Sequence, residues 1–542
     1  MSGRHTEAAV LPHDPVRPRA RPRSVLVETS GLVALSVLSP MMGLAVEMAL
    51  AWRFGTSAVV DAYRVTVLLV IFVQQLFVTS IFPFVIVPIF AECRAQQKER
   101  DAWTAADFLG RLFLALGVLL ALLLFLFPGH ATYLLAPGLV GDGRSTAIFF
   151  MRWCGLAIIP LCWSGVACGI LYAHGVFRVA PLSQLMANAI LLLAVLVGGA
   201  KVGSVSVVIG VVGSAIGSAS LFAVRLAVVR RRFAPGRRTK SIDFPILRKL
   251  LRLAVPLLGG IIVVQMSSAV VARSLSRLAA GSLASFGYSW KLGQIVQLAP
   301  SALSTVLFPR LSEAWHSIGQ GNFTVSYVRA VRVLFFITMP LTCVAYALRG
   351  QIVAFLLQRG AFSAPAGVLT ATLFGILILG APGGALATYL DRTFYATQET
   401  VLPVVVDSVL AVAAIVVVPV MATRFGVKGV ALIYTLIPWV TCVALLGLFH
   451  HRHPGLQFRA LGGFAFQIAA VAMASAWLGA WVGGISTHLT DYSVFSLALS
   501  LVSGTVLAGS LFLATTLLLG LPEAVEIWGY LRQCTGFRQG PC

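Results

Sequence analysis

Charge is scarce in this chain, and acid is scarcer still. Charged residues make up 11% of the 542 residues, with 18 Asp and Glu against 40 Lys and Arg. A soluble domain of this length needs a charged shell that this composition cannot build. Metal-binding cysteine patterns are absent too. The eight cysteines (Cys93, Cys154, Cys162, Cys168, Cys343, Cys442, Cys534 and Cys542) form no C-x-x-C pair and no His/Cys metal spacing. They read as small apolar residues in or beside helices. The longest outer loops gather no acids or histidines as a catalytic centre would, and the His450-His451-Arg452-His453 run, beside a helix end, reads as a basic anchor. The long segment 129–145, GHATYLLAPGLVGDGRS, offers only His130 and Asp142, far apart in sequence.

What the chain has in abundance is apolar length. Hydrophobic residues reach 58% and the mean hydropathy is +0.93. About fourteen apolar stretches of 18 or more residues follow one another, from 31–52 to 493–520, each long enough to cross a bilayer as a helix. The expected fold is an all-α polytopic membrane protein.

The formal net charge of +22 would suit a nucleic-acid binder, but its placement argues for membrane orientation. The basic residues gather in short runs near 92–104, 230–252, 309–332 and 450–459, while 128–145, 200–203 and 485–492 hold one basic residue or none. This is the positive-inside pattern. An even number of crossings then puts both termini on the cytoplasmic side. Arg349, Arg359, Arg424 and Lys428 are exceptions that fall on the outer side. The Pro- and Arg-rich segment 1–24 cannot bury enough apolar surface to fold and reads as a disordered cytoplasmic tail.

The chain also echoes itself. LYAHGVFRVAPLSQLMAN (171–188) and FYATQETVLPVVVDSVLA (394–411) share an aromatic-Ala start, a polar turn and a Pro opening the next helix. A weaker echo links 51–92 with 275–313. These imply two pseudo-symmetric six-helix lobes, 25–229 and 250–450, joined by a basic linker at 230–249. Two further helices follow within 451–522, then a cytoplasmic tail, 523–542. Repeated lobes with a site at their interface are a transporter architecture.

Several residues stand out within the apolar stretches, where a charge costs about 2.5–3.5 kcal/mol and should face a cavity or a partner. Asp61 and Arg64, three apart, can pair on one helix face. Arg273 and Arg277, four apart, with Lys291 on the following helix, either offer a cationic patch to a lipid phosphate or snorkel to the outer headgroups. Gln74 and Gln75 either bind sugar hydroxyls or join helices. Glu47 and Asp407 are lone intramembrane acids, suited to a coupling cation or proton or to a hydrogen bond with a neighbouring helix. Phe177-Arg178, Asp391-Arg392 and Glu399 sit at cytoplasmic turns and read as structural. Pro40, Pro160, Pro256, Pro340 and Pro382 lie inside expected helices and can kink them.

Taken in order, RFGTSAVVDAY (53–63), VPIFAE (87–92), LAPGL (135–139), the Tyr-Ala…Phe…Pro…Asn turn (172–188), QLAPSALSTVLFPRLSE (297–313), LLQRGAFS (356–363) and DRTFYATQETVLP (391–403) resemble the MurJ/MviN family of lipid II flippases. That family lies within the multidrug/oligosaccharidyl-lipid/polysaccharide exporter superfamily. The resemblance implies fourteen helices around a central cavity and alternating access for a polyprenyl-diphosphate-linked saccharide. It also implies a bacterial inner-membrane location and no cofactor, with coupling to the membrane potential or a monovalent cation. Membrane lipids and cell-envelope glycosyltransferases or polymerases are the implied partners, with no nucleic acid.

The departures are specific. Where family members carry Arg-x-x-Gly-x-x-Arg-Asp in the first helix, this chain has Pro40 and Val46 for the arginines, with Gly43 retained and Glu47 as the acid. Gln74 and Gln75 replace an arginine pair, Thr79 a glutamate and Lys291 an arginine. This loss of first-lobe charge points towards an exopolysaccharide or other oligosaccharide precursor in place of lipid II. The alternatives are a polytopic glycosyl- or acyltransferase using a lipid-linked donor, and a family-shaped scaffold that has lost transport.

The charge pattern makes a direct topological prediction. In a background free of native cysteines, a cysteine at position 240 should stay unlabelled by an impermeant thiol reagent in intact cells, whereas cysteines at 485–492 should react. Labelling at 240 would reverse the assigned orientation.

Overall fold

The computed structural model describes residues 22–76, 82–233, 244–304, 320–397, 399, 401–452, 458–489 and 494–534. Thr79, residues 234–243 of the 230–249 linker, 309–319 of the 309–332 loop and the outermost parts of both tails lie outside the described residues.

Among the described residues, eleven helices are long and apolar enough to cross a membrane. The longest, Val401–Arg452, breaks at Gly426, where φ is 64°, and so supplies two crossings. The helices Phe244–Ser276 and Ser282–Val296 stand between the sixth and ninth crossings and complete a set of fourteen segments. Their large apolar side chains face outwards, as at Leu119, Leu122, Val416, Phe466 and Trp477. That pattern would be a liability in water and is the lipid-facing surface of a membrane protein.

Several crossings are bent. The second runs from Ala58 to Val73, widens into a π-helical stretch at Gln74–Leu76, and resumes from Phe82 to Ala95. Such widened turns often mark functional positions. Pro160 and Pro382 prove to sit near the starts of new helices, Ile158–Ala173 and Ala381–Ala396, rather than deep inside continuous ones. There the missing N–H leaves little unsatisfied. Pro40 and Pro340 lie inside their helices as expected. In both halves of the 171–188/394–411 echo one helix ends, at Ala173 and at Ala396, and another starts, at Val179 and at Val401.

Three apolar clusters hold the crossings together. One fills the first lobe around Leu50, Phe150, Leu171 and Phe222. Another joins the second lobe to the last two crossings through Tyr327, Leu390, Phe449, Ile468 and Phe512. The third bridges the lobes, packing Val65, Ala136 and Met151 against Leu275, Leu283 and Phe286. At the other, basic end, the helix Pro522–Cys534 docks on the ninth crossing, where Glu523 pairs with Arg332 at 2.7 Å and Glu526 pairs with Arg329.

The thirteenth and fourteenth crossings, Phe458–Leu489 and Val494–Leu518, meet through small residues. A Cβ on Gly479 would lie 2.5 Å from the carbonyl oxygen of Gly504, and one on Gly483 would lie 2.8 Å from that of Ser500. In lipid, where apolar surface gives no preference for protein over solvent, this close backbone approach drives helix association. Gly479→Ala should therefore lower the melting temperature in detergent. Gly509→Ala, where a Cβ meets nothing within 4 Å, should hold or raise it, since alanine is the better helix former. Equal effects at the two sites would argue against a tight glycine seam.

Candidate functional site: a polar cavity beneath a sealed end

At one end of the molecule the two lobes are tied largely by backbone groups. Asp61, in the first turn of the second crossing, accepts hydrogen bonds from the N–H of Gly281 at 2.6 Å and of Ala284 at 2.8 Å. These donors open the eighth crossing, so a first-lobe carboxylate caps a second-lobe helix. A helix start carries unpaired N–H groups and partial positive charge, which a buried carboxylate satisfies together. Gly281 has φ of 84°, and a Cβ there would lie 2.7 Å from the Thr56 carbonyl oxygen, so both conformation and space require glycine.

Neighbouring bonds extend this seam. The Tyr288 hydroxyl donates to the Gly55 carbonyl at 2.9 Å, and the Ala361 N–H donates to the Trp52 carbonyl at 2.9 Å. The Gly138 N–H reaches the Ser276 hydroxyl at 3.4 Å, and Arg273 donates to the Leu134 carbonyl.

Beneath this seal lies a cavity of about 210 Å³ between the first, second, fifth and sixth crossings, closed on the other side by Lys291 of the eighth. Arg64 binds Glu47 in a two-pronged pair, with Nη1 to Oε1 at 2.9 Å and Nη2 to Oε2. The Arg64 guanidinium also lies 5.0 Å from the Tyr288 ring centre. It fits because residue 287 is glycine: a Cβ there would stand 2.4 Å from Arg64 Nε. Gly43 makes similar room for Lys291, whose Nζ would lie 3.0 Å from an added Cβ.

A chain of amides completes the wall. Gln74 donates to Gln184 at 2.7 Å, Gln184 to Asn188 at 3.5 Å, and Asn188 to the Ser39 carbonyl at 3.1 Å. Ser214 and Ser218 add hydroxyls. With Glu47 neutralised by Arg64, Lys291 is the unmatched cation among the described lining residues. The set can receive one phosphate-like anion and hydrogen-bond to sugar hydroxyls. At 210 Å³ it is smaller than most ligand pockets, so a larger headgroup requires the lobes to part.

The structure thus brings together four of the residues singled out from sequence: Glu47, Arg64, Gln74 and Lys291. It separates the rest, and three readings change. Arg64 pairs with Glu47 on the neighbouring helix, not with Asp61 three residues away, because Asp61 is already taken by backbone donors. Glu47 is consequently not a lone acid. Arg273, Arg277 and Lys291 do not form one patch: Arg273 binds a first-lobe carbonyl at the sealed end, Arg277 is exposed, and only Lys291 lines the cavity. Gln75 is exposed and is not among the residues lining the cavity. Asp407 is exposed on the eleventh crossing, near enough to Asp391 for the two carboxylates to repel.

Sequence reading missed Gln184 and Asn188, although both sit in the repeated 171–188 segment. It also missed Gly287, whose role is only the space it leaves. Among the described residues, no group of three or more His, Cys, Asp or Glu is placed to hold a metal ion.

The Glu47–Arg64 pair is testable by a double-mutant cycle on melting temperature. Glu47→Gln should cost about 3–5 kcal/mol, because it strands a buried guanidinium. The double variant Glu47→Gln/Arg64→Gln should recover part of that loss. Simple additivity of the two single losses would show that the pair is not coupled.

Comparison with known proteins agrees with this geometry. The family model for the lipid II flippase MurJ matches residues 50–503. A probable lipid II flippase MurJ of Rhizobium meliloti is 24% identical over 471 residues, 84% of this chain and 87% of that relative. The lipid II flippase MurJ of Burkholderia cenocepacia is 24% identical over 378 residues, 68% of this chain and 73% of its own. Among solved structures, a lipid II flippase MurJ in an inward closed conformation superposes with a TM-score of 0.73 at 18% identity, covering 90% of this chain and 99% of that one. An inward-facing multidrug resistance MATE family transporter of the MOP superfamily reaches 0.66 at 14% identity, covering 78% of this chain and 98% of its own. With fourteen crossings, two lobes sealed at one end and a family match running across most of its length, the chain belongs to the lipid II flippase MurJ family, a family of membrane transporters.

Proposed function

We propose that this transporter flips a polyprenyl-diphosphate-linked saccharide from the cytoplasmic to the outer leaflet of a bacterial inner membrane by alternating access. The observation that carries this reading is the polar cavity of the first lobe, which Lys291 of the second lobe closes. One unmatched ammonium, Lys291, faces a row of amides, directly beneath a seal at the outer end. The ammonium suits a lipid-linked phosphate, and the amides and hydroxyls suit sugar. The basic loops supply the orientation, since they put the sealed end outside.

The cargo we favour is an oligosaccharide precursor other than lipid II. Pro40, Val46, Gln74 and Gln75 remove cations from the first lobe, and the nearby Arg64 is held by Glu47. A second phosphate would therefore find weak compensation here. Coupling to the membrane potential or a monovalent cation is part of the same proposal, as is delivery to cell-envelope glycosyltransferases or polymerases.

Two experiments test it. Lys291→Gln should reduce transport in reconstituted vesicles by roughly ten- to a hundredfold, the equivalent of one charge-assisted contact of about 1.5–3 kcal/mol. Arg277→Gln, outside the cavity, should transport normally at equal expression. Normal transport by Lys291→Gln would remove the anion site from the eighth crossing. Separately, the chain should fail to replace a depleted lipid II flippase in growing cells; full complementation would restore lipid II as the cargo.

A further inference from the structure

Arg349 breaks the orientation rule and takes no part in the cavity already described. It opens the short helix Arg349–Leu357, between the ninth and tenth crossings, at the sealed outer end. Its guanidinium is fixed: it lies 4.5 Å from the Tyr346 ring centre, and Nη1 donates to the Tyr346 carbonyl at 2.7 Å. Gly375 leaves space for its stem, since a Cβ there would lie 2.6 Å from Arg349 Cδ. Among the described residues it has no carboxylate within ion-pair distance. A guanidinium has five N–H donors, so most of its capacity remains unused.

Two cavities meet at this residue. One is a slot of about 840 Å³ between the ninth and thirteenth crossings, floored by alanines such as Ala470 and Ala474 and edged by Trp477 and Trp481. The other is a polar basin of about 450 Å³ lined by Gln351, Gln358 and Thr372. Arg349 and Gln351 line both. Trp481, 61% exposed, stands in the last third of its helix towards the outer end, and Trp477, 69% exposed, lies one turn deeper. Tryptophans at that position mark the headgroup level of a bilayer. The arrangement is an apolar slot reaching into the hydrocarbon, a fixed cation at headgroup depth and amides beyond it. Neither cavity shares a residue with the one that Lys291 closes.

We infer that this is a binding site for an anionic phospholipid of the outer leaflet with a hydroxyl-bearing headgroup, of the phosphatidylglycerol class. An acyl chain occupies the slot, the phosphate meets the Arg349 guanidinium, and headgroup hydroxyls meet Gln351 and Gln358. Charge complementarity selects this occupant. A zwitterionic lipid brings its own cation to a site that already has one, and the described lining residues include no acid to receive it. The alanine floor accepts a flexible chain, where larger side chains would fill the slot.

The test is retention of lipid by purified protein from bilayers of equal phosphatidylglycerol and phosphatidylcholine, read by native mass spectrometry. The unaltered protein should retain phosphatidylglycerol preferentially. Arg349→Gln should carry one such lipid fewer, with affinity at that site lowered about tenfold. Arg349→Lys, keeping a point charge, should fall between. Ala474→Phe fills the slot without touching the guanidinium, and should also lose one lipid at an unchanged melting temperature. Equal retention of the two lipids by the unaltered protein would overturn the proposal. So would unchanged phosphatidylglycerol retention in Arg349→Gln. If that variant does not fold, retention in Ala474→Phe decides.

Discussion

The carboxylate of Asp61 is the contact on which the closed end of this molecule depends. It reaches from one lobe to satisfy two N–H groups at the start of a helix in the other. A buried helix start without such a partner carries unpaired donors that lipid cannot satisfy. A capping side chain typically contributes about 1 kcal/mol, and a charge at a helix end up to about 2. The contribution is modest and local, yet it sets where the eighth crossing begins. That start in turn places Gly287 and Tyr288 about two turns and Lys291 about three turns further along, against Arg64 and the first crossing. The glycines around the cap extend the same logic, since Gly281, Gly138 and Gly360 each sit where a Cβ would strike backbone across the seam.

Charge inside the cavity follows a different constraint. Arg64 and Glu47 are held in one lobe and neutralise each other at short range. Such a pair is rarely a large source of stability, because desolvation offsets most of its attraction. Its effect is electrostatic: a buried guanidinium is present, but the cavity does not gain a free positive charge from it. The amide row from Gln74 to Asn188 is likewise neutral. The cavity's net charge is therefore set by Lys291 alone among its described residues, which is why cargo chemistry turns on one ammonium.

Much of the fold was legible in the sequence because a bilayer imposes length and apolarity on every crossing, and both survive in composition. Fourteen segments, the basic loops and the repeated helix–turn–helix can all be read that way. The site was only partly legible. Spacing along one helix suggested that Asp61 should meet Arg64, but position along a helix says nothing about partners offered by neighbours. Asp61 found backbone donors 220 residues away in sequence, and Arg64 found an acid on another crossing. Arg273 and Arg277 were grouped with Lys291 by charge, while their depths differ: two lie at the sealed end and one in the cavity. Gly287 and Gly43 act by leaving space, which no residue-type signal reports.

The placement of Lys291 also bears on how binding and motion are linked under the alternating-access proposal. Glu47, Arg64, Gln74, Gln184 and Asn188 all belong to the first lobe, and Lys291 belongs to the second. A ligand phosphate held by Lys291 with its sugar on the amides would bridge the lobes, so its affinity would depend on their separation. A ligand shifts a conformational equilibrium only by as much as it prefers one state. A site built wholly within one lobe would bind equally in either arrangement and move nothing. Conversely, the outer seam consists mainly of hydrogen bonds to backbone groups, and water can replace those partners once the seam parts. The cost of opening the outer end is then moderate, and one charged contact between lobes is of the size needed to bias it.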